Sequence, residues 1–169
     1  IRHHIRIDAS GKILSGFHIL RALALGADMC NSARAMMMAL GCIQALECNK
    51  NTCPTGIATQ DPSLIAGLDV TDKKVRVYNF HKSTINSAVH LIAAAGLKHP
   101  CEVHRALIYR RTGPNSIKTY AETYPPVHVG SLIERPYPPQ YENEMNISSE
   151  DTFRPQYKKI MDLTSLDNA

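Results

Sequence analysis

Hydrophobic and polar residues alternate over residues 5–9, and this period of two predicts a β-strand. An amphipathic helix is predicted over residues 16–25, where a glycine follows as a typical helix stop. Residues 27–31 are short enough for a second strand, and Ser32 is a candidate N-cap for a helix extending to about residue 47. This order of elements predicts two consecutive βα units of a parallel sheet with helices covering it.

The pattern changes after Pro62 and becomes mainly helical. One short turn of helix is predicted over residues 62–66, and a long helix is predicted over residues 72–95, where a glycine ends it. The apolar positions of this long helix are Val75, Tyr78, Ile85, Val89, Ile92 and Ala93. Two further helices are predicted, one over residues 100–109 and one over residues 115–124. From residue 125 onward prolines and tyrosines recur before polar residues take over, which predicts an extended arm over residues 125–169.

Two parallel strands are too few for a stable sheet, since parallel sheets are buried on both faces. We therefore expect the remaining strands to come from another polypeptide or from a longer chain of which these residues are the end. The expected organisation is the end of an α/β domain over residues 1–60, a helical extension over residues 61–124, and the arm over residues 125–169.

Composition excludes several classes of function. The chain has 169 residues and a net charge of +4, but its lysines and arginines are dispersed and tryptophan is absent, which argues against nucleic acid as a partner. The longest apolar run, residues 33–46, is interrupted by polar residues and is too short to span a membrane. Five cysteines suit a reducing compartment or one that assembles iron–sulfur clusters, such as cytoplasm, mitochondrion or plastid.

Three of these cysteines, Cys42, Cys48 and Cys53, occur within one short segment at a spacing of five and then four residues. Three thiolates are one fewer than a structural zinc or an ordinary cubane cluster takes, and they suit a three-iron four-sulfide cluster. A zinc site and plain buried thiols remain the alternatives. Cys30 and Cys101 lie apart from this group and are expected to be buried thiols.

The three cysteines meet only if the chain turns between them. Cys42 and Cys48 are about 240° apart on a helix at roughly 100° per residue, so a helix containing both would direct them to different surroundings. Residues 49–52 are polar and favour a turn, and they would bring Cys53 back towards the other two.

Two turns at successive strand ends could bind a phosphate group. The residues concerned are Ser10, Gly11 and Lys12 after the first strand, and Ser32, Ala33 and Arg34 after the second. A glycine allows close approach to the backbone, and helix N-termini present free N–H groups. In a barrel of eight βα units the loops after the last two strands bind phosphate in this way. The alternatives are a plain turn at Gly11 and a surface or interface ion pair at Arg34.

Four short segments are similar to the end of the FMN-binding domain of glutamate synthase, in particular of the shorter glutamate-synthase-like proteins. They are residues 25–28 (LGAD), 31–37 (NSARAMM), 40–42 (LGC) and 51–62 (NTCPTGIATQDP). The resemblance covers roughly residues 5–111 and is densest over residues 11–62. It implies that the chain is the last two βα units of a (β/α)8 TIM barrel that carries FMN and a 3Fe-4S cluster.

The resemblance also assigns roles to residues. The family's cluster cysteines share the five-then-four spacing and correspond to Cys42, Cys48 and Cys53. Gly11 and the amides of residues 32–34 would lie near the FMN phosphate. The family's glycine pair and arginine at the first turn are replaced here by Ser10-Gly11 and Lys12.

The implied function is electron transfer between FMN and the cluster, with reduction of 2-iminoglutarate to glutamate in the full enzyme. The ammonia for that reaction comes from a separate amidotransferase domain. Since six βα units are not in this chain, it is expected to be inactive alone and to need a polypeptide that supplies the rest of the barrel, within a larger complex. The alternative is a non-catalytic structural subunit of an assembly built on a split or relic barrel.

Overall fold

The computed structural model describes residues 2–157, and the chain divides into two compact units at the junction of Tyr124 and Pro125. Residues 158–169, the end of the expected arm, lie outside the described residues. Within the described part of the chain, no helix is long and apolar enough to cross a membrane.

The first unit begins with a βα arrangement of the expected kind. Strands β1 (Asp8–Ala9) and β2 (Met29–Cys30) pair in parallel, with Asp8 opposite Met29 and Ala9 opposite Cys30. Helix α1 (Gly16–Ala24) connects them, and the chain leaves it through Gly26 at a φ of 107°. Both strands are shorter than the sequence pattern predicts.

Helix α2 (Ala33–Leu40) ends earlier than predicted. Gly41 adopts a left-handed φ of 107° and its N–H bonds back to the carbonyl of Met38, which closes the helix. The expected extension to residue 47 is therefore wrong, because the apolar run beyond Gly41 continues as a loop. This early end places all three clustered cysteines outside helical structure.

Helices α3 (Pro62–Ile65) and α4 (Val70–Ala94) follow the cysteine segment, as predicted. The carboxylate of Asp69 accepts hydrogen bonds from the first-turn N–H groups of Thr71 and Asp72, which fixes the start of α4. Helix α4 packs against both α1 and α2.

Residues 100–124 are mostly not helical, so both helices predicted there are wrong. Two 3₁₀ turns, Pro100–Glu102 and Arg105–Leu107, precede an antiparallel hairpin of strands β3 (Tyr109–Gly113) and β4 (Ser116–Thr119). A single helical turn, α5 (Tyr120–Thr123), ends the unit. The sequence Gly-Pro-Asn at residues 113–115 favours a reverse turn between two strands over a helix start.

The core of the first unit lies between α1, α4 and the segment that follows α4. Its buried members are Leu20, Ala24, Ile92, Val103 and Ile108. Contact between the helices is closest at Gly16, where an added Cβ would lie 2.4 Å from the backbone nitrogen of Ala88. Only a residue without a side chain allows α1 and α4 to approach this closely.

The second unit, described over residues 125–157, contains one short helix, α6 (Glu142–Ile147). The Arg135 guanidinium donates a hydrogen bond to the side-chain oxygen of Asn146 at 2.9 Å, and Asn146 is buried. Large apolar side chains are nevertheless exposed here, among them Val129 and Phe153.

Candidate functional site

The two predicted phosphate-binding turns lie at the same edge of the sheet. Parallel pairing places the carboxyl ends of β1 and β2 side by side, so Ser10 and Ser32 each follow a strand at that edge. The Ser32 hydroxyl donates a hydrogen bond to the carbonyl of Ile13 at 2.6 Å. A second bond, from the side-chain amide of Asn31 to the Asp8 carboxylate at 2.5 Å, joins β1 to the residue that follows β2.

The turn after β1 is open towards solvent. Gly11 and Lys12 both adopt left-handed conformations, with φ values of 97° and 57°. No heavy atom lies within 4 Å of the position that a Cβ on Gly11 would take, and both residues are exposed. An anion can therefore approach the backbone of this turn without obstruction.

The start of α2 has N–H groups that no capping side chain satisfies. Ser32 occupies the N-cap position but makes no capping hydrogen bond, because its hydroxyl is directed to Ile13. The same holds at α1, where the Ser15 hydroxyl contacts the His18 ring nitrogen at 3.0 Å instead. Both uncapped termini follow a strand of the parallel sheet, so their positive ends are available to an anion. Arg34 is exposed in the first turn of α2.

Two of the three clustered cysteines share a cavity of about 540 Å³. Its lining consists of Ala33, Arg34, Met37, Cys42, Gln44, Leu46 and Cys48. Cys42 is half-buried and its sulfur accepts a hydrogen bond from the Gln44 N–H at 3.4 Å, whereas Cys48 is exposed. The cavity thus connects the expected phosphate-binding residues Ala33 and Arg34 with two of the expected metal ligands.

Cys53 is buried and lies in a turn that stabilises a thiolate. The Thr55 hydroxyl lies 3.3 Å from its sulfur, and this contact, with backbone N–H groups of Thr55, Ala58 and Ile57, lowers the pKa of Cys53 to about 7. The turn is tight at Gly56, whose φ is 72° and where a Cβ would lie 2.4 Å from the Leu64 carbonyl. Cys53 is therefore suited to bind a metal as a thiolate.

The three sulfurs do not surround one point. Cys53 is not part of the lining shared by Cys42 and Cys48. Among residues 2–157, no group of three or more histidine, cysteine, aspartate or glutamate side chains lies close enough to hold a metal ion. The donor type fits an iron–sulfur cluster, since cysteine thiolates are its usual ligands, but the structure brings only two of the three together.

Three left-handed residues other than glycine shape the cysteine segment: Gln44, Leu46 and Asn51, with φ values of 57°, 60° and 63°. Asn51 is supported, because its side-chain oxygen accepts hydrogen bonds from the Thr59 hydroxyl and the Gln60 N–H. Leu46 is 83% exposed. Such conformations are unfavourable for residues with a Cβ and are more frequent at functional sites than elsewhere.

Thr55 and Gln44 are site residues that reasoning from the sequence missed. The signal for Thr55 was present, since a hydroxyl two residues after a cysteine can bond back to it within a turn. No local signal exists for the Gln44 N–H, because its position depends on where α2 ends.

The other two cysteines differ from expectation in their exposure. Cys101 is exposed, so the expectation that it is buried is wrong; it follows Pro100 in a 3₁₀ turn at the surface. Cys30 is half-buried in β2, and burial together with the nearby Asp8 carboxylate raises its pKa. Neither belongs to the cavity that Cys42 and Cys48 line.

Comparison with known proteins adds independent information on this site. A family model described as a conserved region in glutamate synthase matches residues 1–98. The match includes both turns and all three clustered cysteines.

Individual relatives of this chain are also glutamate synthases or glutamate synthase-like proteins. The glutamate synthase large subunit-like protein YerD of Bacillus subtilis is 46% identical over 112 residues, which are 66% of this chain and 21% of the relative. The archaeal glutamate synthase [NADPH] of Methanocaldococcus jannaschii is 39% identical over 97 residues, 57% of this chain and 19% of that protein. The glutamate synthase [NADPH] large chain of Azospirillum brasilense is 36% identical over 75 residues, 44% of this chain and 5% of that protein.

The matched region is thus about a fifth of the length of the first two relatives and a smaller share of the third. The family model itself covers more than half of this chain. The chain therefore belongs to the glutamate synthase family of oxidoreductases.

Proposed function

We propose that this chain forms the last two βα units of a glutamate synthase (β/α)8 barrel and that it serves electron transfer between FMN and a 3Fe-4S cluster. The observation that carries the proposal is the family match over residues 1–98, which includes the two strand-end turns and the three cysteines. In the complete enzyme these electrons serve formation of glutamate from 2-oxoglutarate. The proposed organisation is a barrel end over residues 1–60, an extension over 61–124 and an arm over 125–169.

The FMN phosphate is assigned to the edge of the sheet where β1 and β2 end. The contributing residues are Ser10, Gly11, Lys12, Ser32, Ala33 and Arg34. Lys12 and Arg34 supply positive charge, and the open face of Gly11 allows close approach to the backbone. The first-turn N–H groups of α2 point to the same function, because Ser32 does not cap them.

The cluster is assigned to Cys42, Cys48 and Cys53. When bound, it supplies a one-electron redox centre. Cys42 and Cys48 would bind it from the cavity that Ala33 and Arg34 also line. The Thr55 hydroxyl and the surrounding N–H groups hold the Cys53 sulfur as a thiolate near neutral pH.

The remaining strands and helices of the barrel are assigned to a second polypeptide segment. A parallel sheet of two strands is exposed along both edges, and such sheets require further strands and helices for stability. The chain covers about a fifth of the Bacillus subtilis relative, which is consistent with a missing remainder of this size.

Anaerobic reconstitution tests this function. The 169-residue chain is incubated with ferrous iron, sulfide and FMN, desalted, and analysed for iron, zinc, acid-labile sulfide, flavin and an EPR signal on oxidation. We expect iron and sulfide in a ratio of about three to four in the wild type, and loss of both in Cys48→Ser. Cys101→Ser is the matched control, because Cys101 is exposed and does not line the shared cavity.

Three results would contradict the proposal: equal iron in Cys48→Ser and wild type, stoichiometric zinc in a colourless protein, or neither metal nor flavin. The last result would favour the second candidate, a structural subunit of a larger assembly. One observation supports that candidate, namely the exposure of Val129, Ile133 and Phe153 in the second unit, since apolar side chains exposed in this way often contact partners.

A further inference from the structure

Helix α4 carries two stripes of residues at helical spacing, and the structure buries only one of them. The inner stripe consists of Lys73, Val77, Phe80, Thr84 and Ala88, all buried or half-buried. The outer seam, as we name it, consists of Val75, Tyr78, Lys82, Ile85 and Val89. These residues follow one another at steps of three, four, three and four, the spacing of a helix that packs along another helix.

The outer seam is apolar and open. Val75, Tyr78, Ile85 and Val89 are 51%, 62%, 41% and 53% exposed. At about 100° per residue the two stripes lie roughly 140° apart, so one neighbouring layer cannot cover both. In the described part of the first unit, α1 and α2 are the helices that pack most extensively against α4. A helix with two apolar stripes is suited to lie between two neighbours.

The seam also continues into a groove at the start of α4. This groove has a volume of about 600 Å³ and an almost entirely apolar surface, and Tyr78 belongs to both. Its other apolar lining residues are Leu40, Leu68, Val70 and Val77. The open apolar surface therefore extends from the end of α2 along most of α4, which is long enough to take a helix of several turns.

The charges around the seam are positive. Lys74 and Lys82 form no ion pair with any acidic residue in the described part of the chain, whereas Lys73 on the inner stripe pairs with Asp72 at 3.0 Å. The Lys82 ammonium lies 5.8 Å from the centre of the Tyr78 ring, which keeps it on the seam. A partner that fits this surface has an apolar stripe with glutamate or aspartate at its margins.

We propose that the outer seam binds an acidic amphipathic helix of the polypeptide segment that extends the β1–β2 sheet. This inference rests on the proposed function, because it takes the chain to be the end of a barrel. Helix α4 packs against both α1 and α2, and the outer seam is exposed on a different side of the helix. The segment that completes the two-stranded β1–β2 sheet is the partner that this sheet requires.

Co-expression tests this assignment. The 169-residue chain is expressed with the Bacillus subtilis relative from which the matched 112-residue segment has been deleted, and association is measured by co-purification and sedimentation. We expect the wild-type chain to form a one-to-one complex. We expect Val75→Glu combined with Val89→Glu to weaken it at least tenfold. The matched control is Ser83→Glu combined with His90→Glu, which adds the same two carboxylates at exposed positions of α4 outside the seam.

Circular dichroism and thermal melting check that these variants fold. If the valine variant unfolds, Lys74→Glu combined with Lys82→Glu replaces it, and we expect weaker association for that variant too. The proposal is wrong if the seam variants associate as strongly as the control. It is also wrong if the wild-type chain does not bind the truncated relative, forms a homodimer through the seam, or uses it to bind anionic phospholipid vesicles.

The iron content of the same preparations separates the two proposals. A chain that associates through the seam but takes up no iron supports the helix-binding inference and contradicts the proposed cluster. A chain that takes up iron but does not associate supports the cluster and contradicts the helix-binding inference.

Discussion

The hydroxyl of Ser32 donates a hydrogen bond to the carbonyl oxygen of Ile13 at a distance of 2.6 Å. This bond joins the loop after the first strand to the start of α2, and it diverts the hydroxyl from the capping position that Ser32 occupies. One contact therefore fixes two loops together and leaves the N–H groups of a helix terminus available.

Replacing Ser32 with alanine should destabilise the first unit by about 1 kcal/mol, because the carbonyl of the buried Ile13 loses its hydrogen-bond donor. Urea denaturation followed by circular dichroism measures the change. Ser83→Ala, at an exposed position of α4, should leave the free energy of unfolding within about 0.5 kcal/mol of wild type. A Ser32→Ala protein as stable as this control would show that the bond contributes nothing.

Replacing Gly16 with alanine should destabilise the same unit by about 1–3 kcal/mol, since the new Cβ would lie 2.4 Å from the Ala88 nitrogen and force α1 away from α4. Thermal unfolding measures the effect. Gly67→Ala is the control, because its Cβ would meet a single carbonyl, that of Leu64, at 3.3 Å. Equal melting temperatures for both variants would contradict the close helix contact.

Replacing Thr55 with valine should move the pKa of Cys53 from about 7 towards its ordinary value of 9.0, because the hydroxyl is the largest contributor to the shift. Alkylation of Cys53 at a series of pH values, resolved by mass spectrometry, measures the midpoint. Thr52→Val, in the same loop but bonded to Glu47, should leave that midpoint unchanged. An unchanged midpoint in Thr55→Val would remove the assigned cause.

The same shift predicts how stability depends on pH. Because the pKa of folded Cys53 lies below its unfolded value, the thiolate stabilises the fold fully above pH 9.0 and loses this effect as pH falls through about 7. The difference in unfolding free energy between wild type and Thr55→Val should therefore be larger at pH 9 than at pH 6. Denaturation at these two pH values provides the measurement.

Asp28 should stabilise the start of β2 in a pH-dependent way. Its carboxylate accepts hydrogen bonds from the Ile7 N–H and from Arg2, and these contacts hold its pKa below 3.8. The stabilisation is complete above pH 3.8 and disappears as pH falls through the lower, folded pKa. Asp28→Asn should thus be less stable than wild type at pH 6, with the difference shrinking below pH 3.8. Asp151→Asn, exposed in the second unit, should show no such difference in the first unit's unfolding.

The parts of the fold that the sequence predicted correctly are those with strong periodicity and a clear stop. Helix α1 ends just before Gly26 and α4 just before Gly96, and both glycines adopt a left-handed φ. The end of α2 was misplaced because the apolar residues after Gly41 continue the pattern without continuing the helix. The β3–β4 hairpin was missed because alternation of polar residues on an exposed strand gives little hydrophobic signal.

In the candidate site, too, some features could be predicted from the sequence and others could not. Proximity of the turns at Ser10 and Ser32 could be predicted, since parallel strands place their carboxyl ends together. The separation of Cys53 from Cys42 and Cys48 could not, because it depends on left-handed residues such as Gln44 and Leu46 whose side chains do not favour that conformation. For α4 the sequence identified apolar positions correctly, but most of them lie on the outer seam and not in the buried core.

The cysteine segment begins at the end of α2, where that helix lies close to α4, which follows the whole segment in the sequence. A Cβ at Gly41 would lie 3.8 Å from the side chain of Lys73 and 4.0 Å from that of Arg76, both on α4. The surroundings of Cys42, the next residue, are therefore complete only when the first turns of α4 have packed against the end of α2.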